Sequence, residues 1–551
     1  MGCRSSVEIS IWQIGLLFLL FVILLGVGIT GWFRSGTLTE ITTDPVTQPK
    51  TRLRTTKTQL FVEDIGYPPV LTDPSLYVQW TFLQMNDVYE MIALNGGKKG
   101  GLARVATIRK LLLKENPDTI TFLAGDVVSP SAIGNSIVDG APLNGKQMIA
   151  SFNVLGLDFA TLGNHEFDIN VVDLKQRLTE SKFEWIASNV YELNTTTPFH
   201  NVLPYKIIKI KDVKILIIGL TIGENQGSPQ YVTITPQQKL SVFVFKYLKY
   251  LKNDLGLTWN VLVCLTHLDM YYDIDVVEKN LDIDVVLGGH EHENYYLQRG
   301  ARFTPIYKAD DNAFSVFIHR FAYNTKTKHL LIYSTLTRVT PKFSDDEITA
   351  NVTNYYFQAG LEAFRRKGFE PEKVVCVLPS HMIFDGRSTV IRSQQSLLTE
   401  VLCKAMLLSS GGSVCVFNSG AIRLDDTISG VITQYDILRC LPFAPEVIKL
   451  NVPGNVLNRV LNKGLTKINT GMFVSYYGVL YDPLNQQWLL ESTRENIDNS
   501  NLIISTTTIL YFHRNTELSY LPIFRTYGSQ THSLISYLEK FYKKHHSTFR
   551  L

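Results

Sequence analysis

Between residues 77 and 333 short apolar runs alternate with amphipathic stretches. Residues 80–83, 120–123, 159–162, 261–265 and 285–287 each read as a short buried strand. Residues 102–114 read as a helix with Pro117 just beyond it, and residues 237–253 as another. Strands alternating with helices predict a layered α/β domain over residues 77–343. Residues 344–372 then form a linker, with a helix that opens on Asp345, Asp346 and Glu347 and closes on Arg365, Arg366 and Lys367. That charge order suits the helix dipole. Pro371 marks the boundary to a second domain, residues 373–551, with its own strands at 373–378, 414–417 and 502–507.

The N-terminal pattern is different. Residues 11–33 carry no charge, and a helix of that length would be roughly 34 Å long, enough to span a bilayer core of about 30 Å. Trp12 and Trp32 lie near its ends, as interfacial aromatics do. The expectation is a single-pass anchor at 11–33, preceded by a cytosolic or acylated segment at 1–10 and followed by a tether over 34–76. Orientation signals conflict. Arg34, Lys50 and Arg52 after the span favour a cytoplasmic body. The sequons at Asn194 and Asn351, and an N-terminal Met-Gly-Cys-Arg-Ser-Ser fitting acylation at Gly2 and Cys3, favour an extracellular or lumenal body, which is the expectation adopted.

Composition narrows the class. At 45% hydrophobic over 551 residues the chain can bury large cores, and a net charge of +3 gives no reason to expect a nucleic-acid polymer as partner. Six cysteines make no disulfide framework, although Cys376, Cys403, Cys415 and Cys440 leave room for one or two bridges. Cys264, in a core strand, reads as a buried thiol.

Each of the five apolar runs is followed by a polar motif: Asn86-Asp87-Val88-Tyr89, Gly125-Asp126, Gly163-Asn164-His165-Glu166, Thr266-His267 and Gly288-Gly289-His290-Glu291-His292. Strand ends on one edge of a sheet converge, so these groups can share one site. Asp, Asn and His are ligands for hard and borderline metals. Hydrolysing a phosphate ester needs a nucleophilic water and neutralised phosphoryl oxygens, and two metals supply both. Asp126 is the candidate bridging carboxylate, Asp87 and Asn164 each serve one metal, and His267, His290 and His292 complete the shells. His165 stands apart: Asp168, three residues on, is placed to orient it as a catalytic imidazole. Residues 96–101 lack the Lys-Ser/Thr ending of a phosphate loop, and no Gly-x-Ser-x-Gly elbow occurs.

The motif series resembles the calcineurin-like metallophosphoesterases. From about residue 79 to 545 it is similar to their 5'-nucleotidase family, which includes UDP-sugar hydrolases and 2',3'-cyclic phosphodiesterases. Phe384-Asp385-Gly386-Arg387, Val390-Ile391-Arg392-Ser393, Asn418-Ser419-Gly420-Ala421-Ile422-Arg423, Gly430-Val431-Ile432-Thr433 and Leu441-Pro442-Phe443 follow in that family's order. The resemblance implies a four-layer α/β sandwich followed by an α+β nucleotide-binding domain that rotates to present substrate to the metals. It implies hydrolysis of nucleoside 5'-monophosphates, with nucleotide sugars or cyclic nucleotides as the alternative, or a catalytically weak nucleotide-binding surface protein. The implied cofactors are two divalent or mixed-valence ions (Zn, Mn or Fe). Arg392, Asn418 and Arg423 would contact the nucleotide and Phe443 would stack on its base; a homodimer is left open. The chain departs from the family in three places. Tyr89 stands where a histidine ligand is usual, and a phenolate suits ferric iron better than zinc. Residues 393–397 replace the usual Glu and Asn-Leu-Gly-Asn. A Gly-Gly-Asp-Gly-aromatic loop is missing after Thr508, so Tyr511 or Phe512 would have to supply the second aromatic of the base sandwich.

Overall fold

The computed structural model describes residues 53–66, 75–223, 231–513 and 516–542. The expected N-terminal segment and membrane span lie outside these residues, and among the described residues no helix is long and apolar enough to cross a membrane. Part of the stretch expected as a tether, 34–76, lies inside the first domain. Arg54–Val62 is a strand, paired in parallel with Leu330–Arg338. Its residues alternate between half-buried and exposed, as an edge strand allows, and its Thr-rich sequence looks like a linker for the same reason.

Two sheets face each other in the first domain. One has seven strands in the order Arg54–Val62, Leu330–Arg338, Ser315–Asn324, Tyr77–Met85, Thr119–Ala124, Phe159–Thr161, Glu184–Trp185. The other has six, in the order Tyr295–Arg299, Thr304–Lys308, Val285–Gly289, Val261–His267, Val213–Thr221, Lys206–Ile210. Side chains alternate across each strand, so both faces can be apolar. Trp80 and Phe82 point between the sheets with Phe122, Val263, Val285 and Phe321. Leu83 and Met85 point outward, onto helices Leu102–Glu115, Lys146–Leu155 and Glu347–Arg366. The second sheet is covered by Leu240–Asn253 and Met270–Lys279 through Val244, Leu248, Leu251 and Val276. The result is helix, sheet, sheet, helix: the four layers expected.

In the second domain a five-stranded sheet (Val474–Tyr477, Val414–Asn418, Asn501–Thr507, Glu446–Pro453, Ile523–Ser529) lies between two helix layers. Leu397–Ser410 and Gln530–Tyr542 cover one face, and Gly454–Leu465 covers the other. Cys403 and Cys415 form one disulfide across this domain, at a Cα–Cα distance of 5.4 Å. Cys264, Cys376 and Cys440 are buried thiols.

Candidate dinuclear metal site

Register brings the motifs together. In the second sheet Thr266 pairs with Gly288 and His267 with Gly289, so the fourth and fifth motifs leave adjacent strands side by side. In the first sheet Met85 pairs with Leu123 and Ala124 with Thr161, which aligns the first three. The two edges meet at Gly125 and Gly163. A Cβ at Gly125 would strike the His267 ring, and one at Gly163 would strike Asp126 Oδ1, which is why both motifs carry glycine there. Glu166, fully buried, ties these turns together by accepting from the backbone N–H of Asp126 (3.0 Å), Val127 (2.6 Å) and Val128 (3.2 Å).

All seven expected ligand residues converge. Asp126 Oδ2 lies 3.2 Å from His267 Nε2 and accepts from the Tyr89 hydroxyl at 2.9 Å, and its Oδ1 accepts the His165 N–H at 2.8 Å. On one side of it Asp87 Oδ1 is 3.5 Å from His292 Nε2, which is 3.3 Å from the Tyr89 oxygen. On the other side Asn164 Oδ1 is 3.1 Å from both His267 Nε2 and His290 Nδ1. The outer ring nitrogens are held too. His267 Nδ1 donates to the Ala124 carbonyl at 2.8 Å, which leaves Nε2 facing the acids. His290 Nε2 meets Asp269 at 3.1 Å, and His292 Nδ1 meets Asp425, from the second domain, at 3.1 Å.

These donors fit a metal. Asp87 Oδ1 is buried with no hydrogen-bond partner, an orphaned acceptor that a cation would satisfy. Ligand atoms of Asp87, Asp126 and His267 all lie within 4.8 Å of one another. Burial alone would lower the His267 pKa, but the facing carboxylates of Asp126 and Asp87 raise it well above the ordinary value. Burial would raise Asp126, yet His267 and His165 hold it below the usual carboxylate range. Burial, then Asp126 and Asp87, raise the Tyr89 phenol, keeping it a donor.

His165 sits beside the cluster. Its Nδ1 meets Asp168 Oδ2 at 2.6 Å, and its Nε2 lies 3.1 Å from Arg423 Nη1. Arg423 can only donate, so in this arrangement Nε2 accepts and Nδ1 carries its proton toward Asp168. Arg392, Asn418, Arg423 and Phe443 line the same cleft as His165, Asp126, Asn164, His290 and His292, with a volume of 1090 Å³. Arg423 lies over Phe443 at 5.6 Å. Neither aromatic considered for the second half of a base sandwich faces this cleft. The Tyr511 hydroxyl donates to the carbonyls of Leu521 (2.8 Å) and Ser519 (3.3 Å), and Phe512 is 67% exposed. A short helix, Thr508–Phe512, turns Ile509 and Leu510 inward instead.

Sequence reasoning missed Asp425, Asp269 and the structural role of Glu166. Asp269 and Asp425 each stand two residues beyond a predicted site residue, which is the only signal they leave.

Residues 81–294 match the calcineurin-like phosphoesterase family model, and residues 377–497 match that of the 5'-nucleotidase C-terminal domain. The chain is 24% identical over 446 residues to a 5'-nucleotidase of Vibrio parahaemolyticus, covering 72% of this chain and 77% of that one. It is 23% identical over 424 residues to the rat 5'-nucleotidase, covering 71% of each. Among solved structures, a 5'-nucleotidase precursor from Thermus thermophilus superposes with a TM-score of 0.69 at 18% identity, over 84% of this chain and 97% of that one. A sulfate thiohydrolase from the same organism shares the fold at a TM-score of 0.64 and 13% identity, over 87% and 96%, so the fold alone does not fix a substrate. With both domain models matched in order, the chain belongs to the 5'-nucleotidase family of calcineurin-like phosphoesterases and is a phosphoric monoester hydrolase.

Proposed function

We propose that the protein hydrolyses nucleoside 5'-monophosphates to nucleoside and phosphate at a two-metal site. The carrying observation is the 3.1 Å approach of Arg423, from the second domain, to His165, beside the ligand cluster. A phosphoryl group seated there would meet an imidazole, a guanidinium and the ligands together. Asp87, Tyr89, Asp126 and His292 would hold one ion, and Asp126, Asn164, His267 and His290 the other. When bound, the ions would activate water and neutralise phosphoryl oxygens. With a phosphoryl group seated between them, Arg423 would donate to its oxygens instead of to His165, and His165, oriented through Nδ1 by Asp168, would turn Nε2 to the same oxygens and carry a proton there against the charge that grows on them. Arg423 and Arg392 would bind the phosphate and ribose side, Asn418 would accept or donate to the nucleotide, and Phe443 would stack on the base.

We place the body outside the cytosol, anchored by residues 11–33. The Cys403–Cys415 bridge supports an oxidising compartment, and both sequon asparagines are exposed.

The test is phosphate release from AMP and UMP by the full chain, after chelation and after restoring zinc, manganese or iron. Release should need metal and should vanish in Asp126→Ala. His165→Ala should lower turnover by about 10²- to 10⁴-fold while metal content is kept. Release that survives both chelation and Asp126→Ala would sink the two-metal reading.

A further inference from the structure

The two histidines of the fifth motif are supported from different domains. His290 Nε2 meets Asp269, within the first domain, at 3.1 Å, and that carboxylate is 45% exposed. His292 Nδ1 meets Asp425 Oδ2, from the second domain, at 3.1 Å, and the pair is nearly enclosed, at 11% and 6% exposure. Nδ1 has no aligned hydrogen-bond partner, so Asp425 is the carboxylate within reach of its proton.

Asp425 is held ready for that role. Its Oδ1 accepts from the Ser388 N–H at 3.2 Å and from the Ser388 hydroxyl, which leaves Oδ2 to His292. Its φ of 46° turns the chain two residues past Arg423. Residues 423–425 therefore touch the first domain's site twice: Arg423 Nη1 lies 3.1 Å from His165 Nε2, and Asp425 reaches His292. A neighbouring contact, from the Thr389 hydroxyl to Glu293 at 2.7 Å, also crosses between the domains but touches no candidate ligand.

A carboxylate that takes the proton of one ring nitrogen fixes the tautomer and leaves the other nitrogen bare and more basic for a cation. In His292 that other nitrogen, Nε2, faces Asp87 Oδ1 at 3.5 Å. We propose that Asp425 is a positioning residue that readies His292 for its ion only while the domains are docked. Docking and this ion then strengthen each other, because linkage is reciprocal. The ion held by His290 has no such dependence, since Asp269 lies in the same domain. The inference rests on the two-metal reading above.

The experiment titrates zinc into the chelator-stripped full chain against a chromophoric competitor, which gives two dissociation constants for wild type. Asp425→Ala should weaken one of them by about ten- to a hundredfold and spare the other. Asp269→Ala should weaken the other instead, and Thr389→Ala neither. Asp425→Asn, which keeps the shape, should shift the same constant in the same direction, and it keeps the test sharp if the alanine variant misfolds. Arg439, which meets Glu90 across the domains at 3.2 Å, supplies the docking arm. Arg439→Met should weaken the Asp425-dependent constant in wild type but add nothing in the Asp425→Ala background. Unchanged constants in both Asp425 variants overturn the proposal, as does an equal loss in Thr389→Ala. So does an Arg439→Met effect of the same size with and without Asp425, because docking then acts by another route. The zinc count is read first on wild type: fewer than two ions refutes the two-metal reading and this one with it, whereas two ions with the wrong variant pattern refutes this one alone.

Discussion

Asp87, Asp126 and His290 share an unusual backbone, with φ of 51°, 58° and 87°. Left-handed geometry costs an L-residue roughly 1–2 kcal/mol, and it recurs here at three of the candidate ligand positions. The strain has a local purpose. It turns each chain sharply out of its strand, so that side chain and backbone N–H face the same centre: His290 N–H donates to Asp87 Oδ2 at 2.9 Å while its ring reaches Asn164. Tyr89 is the residue whose role this geometry makes testable. Its hydroxyl lies between Asp126 and His292, where a ligand would be, and burial with the neighbouring carboxylates of Asp126 and Asp87 raises its pKa. Tyr89→Phe is expected to weaken metal retention by about tenfold, the scale of a lost supporting contact. In wild type loaded with ferric iron it should also remove a visible phenolate-to-iron absorption band. Unchanged metal content in the variant, with no such band in wild type, would make Tyr89 a hydrogen-bond donor only.

At the scale of elements, strand Ser315–Asn324 shows how the core supports the site. His319 is completely buried there, with Nε2 2.9 Å from Gln84 Oε1 and Nδ1 2.7 Å from Ser334 Oγ. Gln84 in turn donates to the carbonyls of Tyr307 (2.9 Å) and Gly288 (3.1 Å), so the network ends at the fifth motif. The amide oxygen can only accept, so Nε2 carries the proton and Nδ1 accepts from Ser334. Burial lowers the His319 pKa from 6.5 to about 3. The sign follows. Below pH ~6.5 the unfolded chain takes up a proton that the folded chain refuses, so stability falls as pH drops toward ~3, by up to about 1.4 kcal/mol per unit. Above ~6.5 the group contributes no slope. Denaturant unfolding at pH 7, 5.5 and 4.5 should show this slope, and His319→Gln should reduce it by about one proton's worth; an identical slope in the variant would refute the assignment.

Elements were legible in the sequence where one rule acted alone. Residues 102–114 and 344–367 show helical periodicity with clear stops, and the structure gives Leu102–Glu115 and Glu347–Arg366. Buried strands ending in polar motifs stood out because nothing else places Asp and His after an apolar run. Arg54–Val62 did not, because an edge strand with one solvated face has the composition of a linker. The wall facing Phe443 did not either. Whether residues 509–513 turn an aromatic or an aliphatic side chain inward depends on a helix of five residues, too short to leave a period. Asp425 meets His292 only because two domains dock, a contact between residues more than a hundred apart.

At the scale of the whole molecule, that docking is centred on a buried ion pair. Glu90, directly after Tyr89 in the first motif, is 8% exposed and meets Arg439 Nε of the second domain at 3.2 Å, while Tyr435 donates to its other oxygen at 3.1 Å. Burial raises the Glu90 pKa, and Arg439 opposes that rise. Around this core lie thinner links, Lys99 to Asp426 at 3.3 Å and Asn135 to the Pro442 carbonyl at 3.1 Å. The exposed lysine pair is screened and contributes little. The buried pair is different in kind. Removing one partner strands a charge inside, at roughly 3–5 kcal/mol, whereas removing both charges while keeping volume is close to neutral. Arg439→Met is therefore expected to destabilise the full chain by that amount and to split its denaturant transition as the domains lose their dock. Glu90→Gln/Arg439→Met should recover most of the loss, giving a coupling well above the few tenths of a kcal/mol seen between independent sites. If both singles and the double cost under about 1 kcal/mol, the pair is an incidental contact. If the double recovers nothing, packing at Arg439 and not its charge holds the domains. Because Glu90 is covalently next to Tyr89, a true coupling also predicts that Arg439→Met loosens metal at the first motif without touching a ligand, measurable as metal content after dialysis.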